Sequence, residues 1–299
     1  MTKDISVNGK RVHYIEAGDG SSRTVILLHG NIGDAAFHWG RIIPELAAHY
    51  HVIAPDLPDY GKSEPLSNPG FEETLAWLNE LYKVLGLTEA ALVGTSYGGL
   101  IARLFAAGYA HAVPALVLIN GGSLPGKSSG FARVLAQTPL IGSAIFGSAS
   151  RQMVGSRQKL QWFVQFPKTY QGGEDATPPD RYTAMQSDPL SPEMVETAQA
   201  SAPSLARLMQ TQMLSPVPDK RIPRIATLIL WGEQDEISPL STGKRIQKAI
   251  PGAELVPISS THQAPHIEEP DIVAFQIVRF LDNLGKPQAP DLPGAGMLS

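Results

Sequence analysis

Val93-Gly94-Thr95-Ser96-Tyr97-Gly98-Gly99, written VGTSYGG, is the stretch whose reading decides the fold. Upstream of it Ala90 to Val93 is a short apolar run of the kind that fills a strand buried on both faces. Downstream, Leu100 to Ala110 is rich in Ala and Leu and reads as a helix. The chain must therefore turn from strand to helix within GTSYG, and Gly94 and Gly98 stand where side chains would collide. Ser96 is left at the apex. The pattern is G-x-S-x-G, a strained turn that exposes a serine hydroxyl above a sheet and puts the following N–H groups at a helix N-terminus.

On the N-terminal side, Ile5 to Val7 and Val12 to Ile15 alternate around Asn8-Gly9 and predict an antiparallel hairpin. Thr24 to Leu28, TVILL, predicts a central strand that empties into His29-Gly30-Asn31. Trp39, Ile42, Ile43, Leu46 and Ala47 recur at helical spacing, His51 to Ala54 begins another strand, and Pro55 to Ser63 is a loop dense in Pro, Gly and Asp. Glu72 to Leu85 is an amphipathic helix stopped by Gly86.

On the C-terminal side, Ala115 to Ile119 is a further buried strand, broken by Asn120-Gly121-Gly122. The alternation of strand and helix means parallel strands joined by right-handed crossovers, with helices on both faces. From Ser123 to Ile222 no strand-like run occurs, while short helical patterns such as Phe131 to Gln137 and Glu193 to Gln212 do. That stretch is too long for a simple loop and reads as a helical cap inserted between two strands. Strands resume at Thr227 to Trp231 and Glu254 to Ile258, with helices at Leu240 to Ile250 and Asp271 to Leu284. The expected organisation is a core of residues 1–122 and 223–285, a cap of residues 123–222 and a disordered tail, 286–299.

The 24 Lys and Arg against 28 Asp and Glu provide no field that would hold nucleic acid or an anionic membrane, and neither partner is expected. The absence of cysteine excludes disulfides, a thiolate nucleophile and thiolate metal sites. The N-terminal MTKDISVNGKRVHY has no apolar segment of signal-peptide type, and no run reaches the length of a membrane span, so the expectation is a soluble cytoplasmic protein. His38, His49 and His111 have no partners at ligand spacing, and neither metal nor cofactor is expected.

A serine hydroxyl is a poor nucleophile at neutral pH and needs a base, which in turn needs an orienting acid. Thr227 to Trp231 carries Gly232-Glu233-Gln234-Asp235 at its C-terminal end, and the next strand empties into Ser259-Ser260-Thr261-His262-Gln263-Ala264-Pro265-His266. Residues at the carboxyl edge of a parallel sheet face one crevice. The order Ser96, Asp235, His262 is the order of the nucleophile-elbow hydrolases.

With these residues in place the sequence resembles the α/β-hydrolase superfamily, in particular its capped serine hydrolases, which include esterases and carbon–carbon bond hydrolases. LLHGNIGDAAFHW resembles the family's oxyanion loop, APDLPDYGKS its loop after the next strand, VGTSYGG its elbow and LILWGEQDEISP its acid loop. The resemblance implies an α/β-hydrolase fold: a mostly parallel twisted sheet with helices on both faces and an inserted cap. Related haloalkane dehalogenases and epoxide hydrolases carry aspartate at the elbow, and Ser96 argues against both.

One departure concerns the base. The family commonly writes Gly-His before a segment ending Glu-x-Pro, whereas here Thr261 precedes the histidine and Glu268-Glu269-Pro270 lies one residue further on. An ungapped alignment puts Gln263 in the base position, and glutamine takes no proton. Three readings stay open: a loop with one extra residue and His262 as base, His266 reaching in, or an inert site.

The expected function is hydrolysis of small to medium, mostly apolar carboxylic esters, with Ser96 as nucleophile, His262 as base and Asp235 holding the imidazole. Asn31 and Tyr97 are expected to donate their backbone N–H groups to the oxyanion, and His29 to brace that loop by hydrogen bonding. Trp162 and Phe166 stand four apart in the cap and are candidates for lining the substrate pocket. A carbon–carbon hydrolase of ring-cleavage products would use the same triad. Such relatives carry a Gly-Pro-Gly-like oxyanion loop and a basic residue facing a carboxylate, and neither is evident in HGNIGDAAFHW. A ligand receptor on a hydrolase fold, with little turnover, is the reading from another class.

Overall fold

The computed structural model describes residues 1–20, 22–67, 70–122, 139–157, 160, 191–214 and 221–284. Among these, eight strands form one sheet in the order β1-β2-β4-β3-β5-β6-β7-β8. They are β1 (Thr2–Val7), β2 (Lys10–Ala17), β3 (Thr24–Leu28), β4 (His51–Pro55), β5 (Ala91–Thr95), β6 (Ala115–Ile119), β7 (Ala226–Gly232) and β8 (Glu254–Ile258). Only β2 runs against its neighbours; β4, β3, β5, β6, β7 and β8 pair in parallel.

The apolar runs of β3, β5, β6 and β7 are continuous because each of these strands is covered on both faces. Successive residues go to opposite layers: Ile26, Leu28, Leu92, Leu116, Leu118, Ile229 and Trp231 to one, Val25, Leu27, Val93, Val117, Ile119, Leu228 and Leu230 to the other. The first layer is closed by α3 (Phe71–Val84), α4 (Ser96–Gly108) and α8 (Leu240–Ala249). The second is closed by α1 (Ala35–Trp39), α2 (Ile43–Ala47) and α10 (Pro270–Asp282), with α9 (Pro265–Glu268) just before α10.

Prolines divide two segments that the spacing presents as single helices. Pro44 lies at the start of α2, and the helix expected through Trp39 to Ala47 becomes two short ones with Gly40 capping the first. The pattern from Glu193 to Gln212 splits into α6 (Pro192–Ala200) and α7 (Ala202–Leu214), because Pro203 lacks an N–H and its ring clashes with the carbonyl four residues back. Before them α5 (Pro139–Val154) packs on α7. Val154, Leu160, Met194, Ala198, Ala202 and Leu205 from this helical stretch meet Ile32, Phe37 of α1, Ala264 and Ile267 of α9 in a third apolar cluster. Phe131 to Gln137 and the tail 286–299 lie outside the described residues.

Candidate active site

Ser96 sits where β5 ends and α4 begins, and its φ of 49° lies in the left-handed region that L side chains rarely adopt. The turn holds because its neighbours have no side chains. A Cβ on Gly98 would run into the carbonyl oxygens of Leu28 and His29, and one on Gly121 would stand 2.6 Å from the Ser96 nitrogen. Elbow, β3 and the end of β6 thus touch backbone to backbone. Strain of this kind costs about 1–3 kcal/mol and persists where the surroundings over-determine it.

The oxyanion loop leaves β3 at His29, which is completely buried. Its Nε2 accepts from the Leu57 N–H at 2.8 Å, so Nδ1 carries the proton and donates to the Gly30 carbonyl at 2.7 Å. Burial lowers the His29 pKa to about 4 and keeps the ring neutral. His29 is therefore a brace, as its position in the sequence led us to expect. The side chain that caps the following helix is Asp34, accepting from the Phe37 N–H at 2.9 Å.

The acid loop after β7 is tied down by Asn120, which follows β6 and is itself left-handed at φ 41°. Its Oδ1 accepts from the Gly232 N–H at 2.9 Å, which fixes the amide's orientation. Its Nδ2 then donates to Asp235 Oδ2 at 2.6 Å and to the His262 carbonyl at 3.1 Å. Asp235 Oδ1 accepts from the N–H groups of Ile237 and Ser238, each at 2.8 Å. Burial raises the Asp235 pKa, against the pull of these hydrogen bonds and of nearby His262.

The expected hydrogen bond between Asp235 and His262 gives way to another. His262 Nδ1 lies 3.0 Å from Glu268 Oε2, and that oxygen also accepts from the His262 N–H at 2.9 Å. Glu268 Oε1 accepts from the Ala264 N–H at 3.1 Å. Glu268 is 3% exposed, and burial raises its pKa against the pull of His262. The buried carboxylate of α9 thus stands at Nδ1 of His262, while the Asp235 carboxylate accepts from Asn120 and from its own loop.

Ser96 opens on a cavity of about 150 Å³ whose walls include Asn31, Ile32, Phe37, Met153, Leu160 and Ile237. From the base loop the cavity wall takes Gln263 and His266. His266 pairs with His38, Nε2 to Nδ1 at 3.0 Å, and His38 Nε2 reaches the Ile32 carbonyl at 2.7 Å. Burial holds both rings far below the ordinary histidine range, His38 at about 3. Among the described residues no group of His, Cys, Asp and Glu is arranged to hold a metal ion.

The alpha/beta hydrolase fold family matches residues 23–270, more than half of the chain. The chain belongs to the α/β-hydrolase family. A 2-hydroxy-6-oxononadienedioate/2-hydroxy-6-oxononatrienedioate hydrolase of Pseudomonas sp is 27% identical over 92% of this chain and 93% of its own length. Among solved structures, an esterase from Thermogutta terrifontis superposes with a TM-score of 0.70 at 22% identity, covering 95% of this chain and 99% of its own. The enol-lactonase of Burkholderia xenovorans LB400 does so at 0.69 and 20%, covering 94% and 100%. The family and the name of the Pseudomonas relative support hydrolase activity, and the two structures share the fold.

On this α/β-hydrolase frame the loops that carry Asn31, Ser96, Asp235 and His262 all leave the carboxyl edge of the sheet, with Tyr97 in the first turn of α4. The Tyr97 side chain turns toward Tyr60 and Thr74, where burial pushes its pKa up to about 12. Trp162 and Phe166 lie outside the described residues; among the described ones, the helical stretch contributes Met153 and Leu160 to the cavity. Sequence reasoning missed Asn120 and Glu268. Asn120 carried a signal, since an asparagine between a buried strand and two glycines suits a left-handed residue.

Proposed function

We propose that this α/β-hydrolase is a serine carboxylesterase acting on small to medium, mostly apolar esters, with residues 123–222 as its cap. The observation that carries the reading is the strained Ser96 elbow opening on an apolar cavity. Ser96 Oγ attacks the ester carbonyl and passes its proton to His262. The oxyanion is held by the N–H groups of Asn31 and Tyr97, the alcohol leaves with the proton from His262, and water releases the acyl group.

His262 suits the base because a carboxylate faces its Nδ1. Nδ1–H donates to Glu268, which leaves the lone pair on Nε2, and Asp235 adds negative charge nearby. Among the described residues no carboxylate bonds the His266 ring, and burial opposes the imidazolium it would have to form. The test is a panel of p-nitrophenyl esters of increasing acyl length, with Ser96→Ala and His262→Ala beside the wild type. Each buried methylene contributes about 0.8 kcal/mol, so kcat/KM rises several-fold per carbon until the cavity is full and then falls. Either variant retaining more than about a tenth of wild-type kcat removes that residue from the mechanism, since loss of a triad member costs orders of magnitude.

The name of the Pseudomonas relative favours a second reading, a carbon–carbon hydrolase of ring-cleavage products. Against it, no lysine or arginine lines the cavity among the described residues, and its two histidines are held neutral by burial. Turnover of a 2-hydroxy-6-oxo-dienoate faster than of any plain ester decides for that reading. A single burst of p-nitrophenol without turnover decides for a receptor.

A further inference from the structure

The hydrogen-bond directions in the His38–His266 pair are fixed from one end. The Ile32 carbonyl only accepts, so His38 Nε2 carries a proton. Burial keeps His38 neutral, which leaves its Nδ1 a bare lone pair, and that lone pair accepts from His266 Nε2–H. His266 is neutral as well, so its remaining nitrogen, Nδ1, is a lone pair. This atom is buried in a residue that is 1% exposed, and it has no hydrogen-bond partner among the described residues. Gln263, which lines the same cavity, also has a buried acceptor, Oε1, without a partner among the described residues.

Buried polar atoms without partners are rare, and two in neighbouring residues that line one cavity call for a shared occupant. Its chemistry is restricted. A carboxylate or carbonyl only accepts and meets the His266 lone pair without a proton to give. An ammonium ion would lose its hydration in a cavity where no anionic side chain is among the described wall residues. A hydroxyl fits, because it donates to His266 Nδ1 and its oxygen takes a proton from the Gln263 amide, which rotates to present either end.

We propose that His266 and Gln263 form a hydroxyl-recognising subsite in the Ser96 cavity, and that the preferred substrates are esters of hydroxy acids. The inference deepens the esterase reading and rests on it for the word ester. His38 is a positioning residue here, since it acts by setting the tautomer of His266.

The test compares p-nitrophenyl butyrate with the 2- and 3-hydroxybutyrates. Wild-type kcat/KM is expected to favour one hydroxylated ester by at least about tenfold, as a site built to hydrogen-bond a hydroxyl discriminates against the analogue lacking it. His266→Gln keeps a donor toward His38 and removes the ring acceptor at the Nδ1 position, so the ratio collapses toward one; Gln263→Met lowers it as well. If wild type turns over the esters with no such preference, the cavity holds only water there and the subsite is overturned while the esterase reading stands. If no ester is turned over, the esterase reading fails and the subsite is judged by binding. Ring-nitrogen NMR of the Ser96→Ala protein then decides: a His266 Nδ1 shift with methyl 2- or 3-hydroxybutyrate and not with methyl butyrate supports the subsite. Identical spectra overturn it.

Discussion

At the scale of the residue, two carboxylates divide a task that one was expected to do. Asp235 accepts from Asn120 and two backbone N–H groups, whereas Glu268 holds the ring of His262. Glu268→Gln is therefore expected to lower kcat by two or more orders of magnitude, because an amide neither stabilises the imidazolium nor secures the tautomer that leaves Nε2 free. Asp235→Asn is expected to cost less, since most of its hydrogen bonds anchor a loop. Steady-state kinetics of the two variants on one ester checks the order, and the reverse ranking returns the orienting role to Asp235. Asp235 was legible from its place after a buried strand. Glu268 was not, because its role depends on a register that only the folded loop displays.

At the scale of the element, the elbow is a contact of backbones, and its glycines are set by what lies across from them. Gly98→Ala drives a Cβ into the Leu28 and His29 carbonyls. The expected cost is about 1–3 kcal/mol or more, as for other overpacked sites, with activity lost through displacement of Ser96. Urea denaturation and an ester assay on the same preparation measure both, and unchanged stability would mean that the elbow has room that its geometry denies. The helical stretch between β6 and β7 is latched differently. Arg207 of α7 grips Asp59 with two hydrogen bonds of 2.6 Å, and Ser204 donates to the Asp59 carbonyl. The pair is half exposed on the arginine side, so Arg207→Ala is expected to shift global stability by less than about 1 kcal/mol. Amide exchange in α7 should nevertheless quicken, because local opening no longer breaks the latch. Unaltered exchange would assign the attachment of α7 to apolar packing alone.

For the whole molecule, three buried neutral histidines, His29, His38 and His266, make stability depend on acid. Their folded pKa values lie below the ordinary value of 6.5, so the unfolded chain binds protons first as the pH falls. Their contribution is full above pH 6.5 and is lost below it, at up to about 1.4 kcal/mol per pH unit for each ring. Asp235 and Glu268, raised by burial, act in the opposite sense, their contribution being full below the ordinary carboxylate range and lost as the pH rises through their folded values. The larger shifts belong to the histidines. Urea midpoints are expected to fall from pH 7 to pH 5, and a flat profile would mean that these rings take protons in the folded state.

Periodicity and glycine placement determined from the sequence alone that β5 runs into α4 through a strained serine, that the central strands are buried on both faces, and that the loops carrying Ser96, Asp235 and His262 leave one edge of the sheet. Those properties are local: apolar runs, helix faces and turns are written in adjacent residues. The cuts made by Pro44 and Pro203 were equally local and could have been read from proline's missing N–H. The tertiary structure alone decided which carboxylate meets His262, that Asn120 joins β6, β7 and the base loop, and that His38 and His266 form one pair across 228 positions of chain. Such partnerships depend on distances of about 3 Å between loops remote in sequence, and only the packed sheet sets those distances.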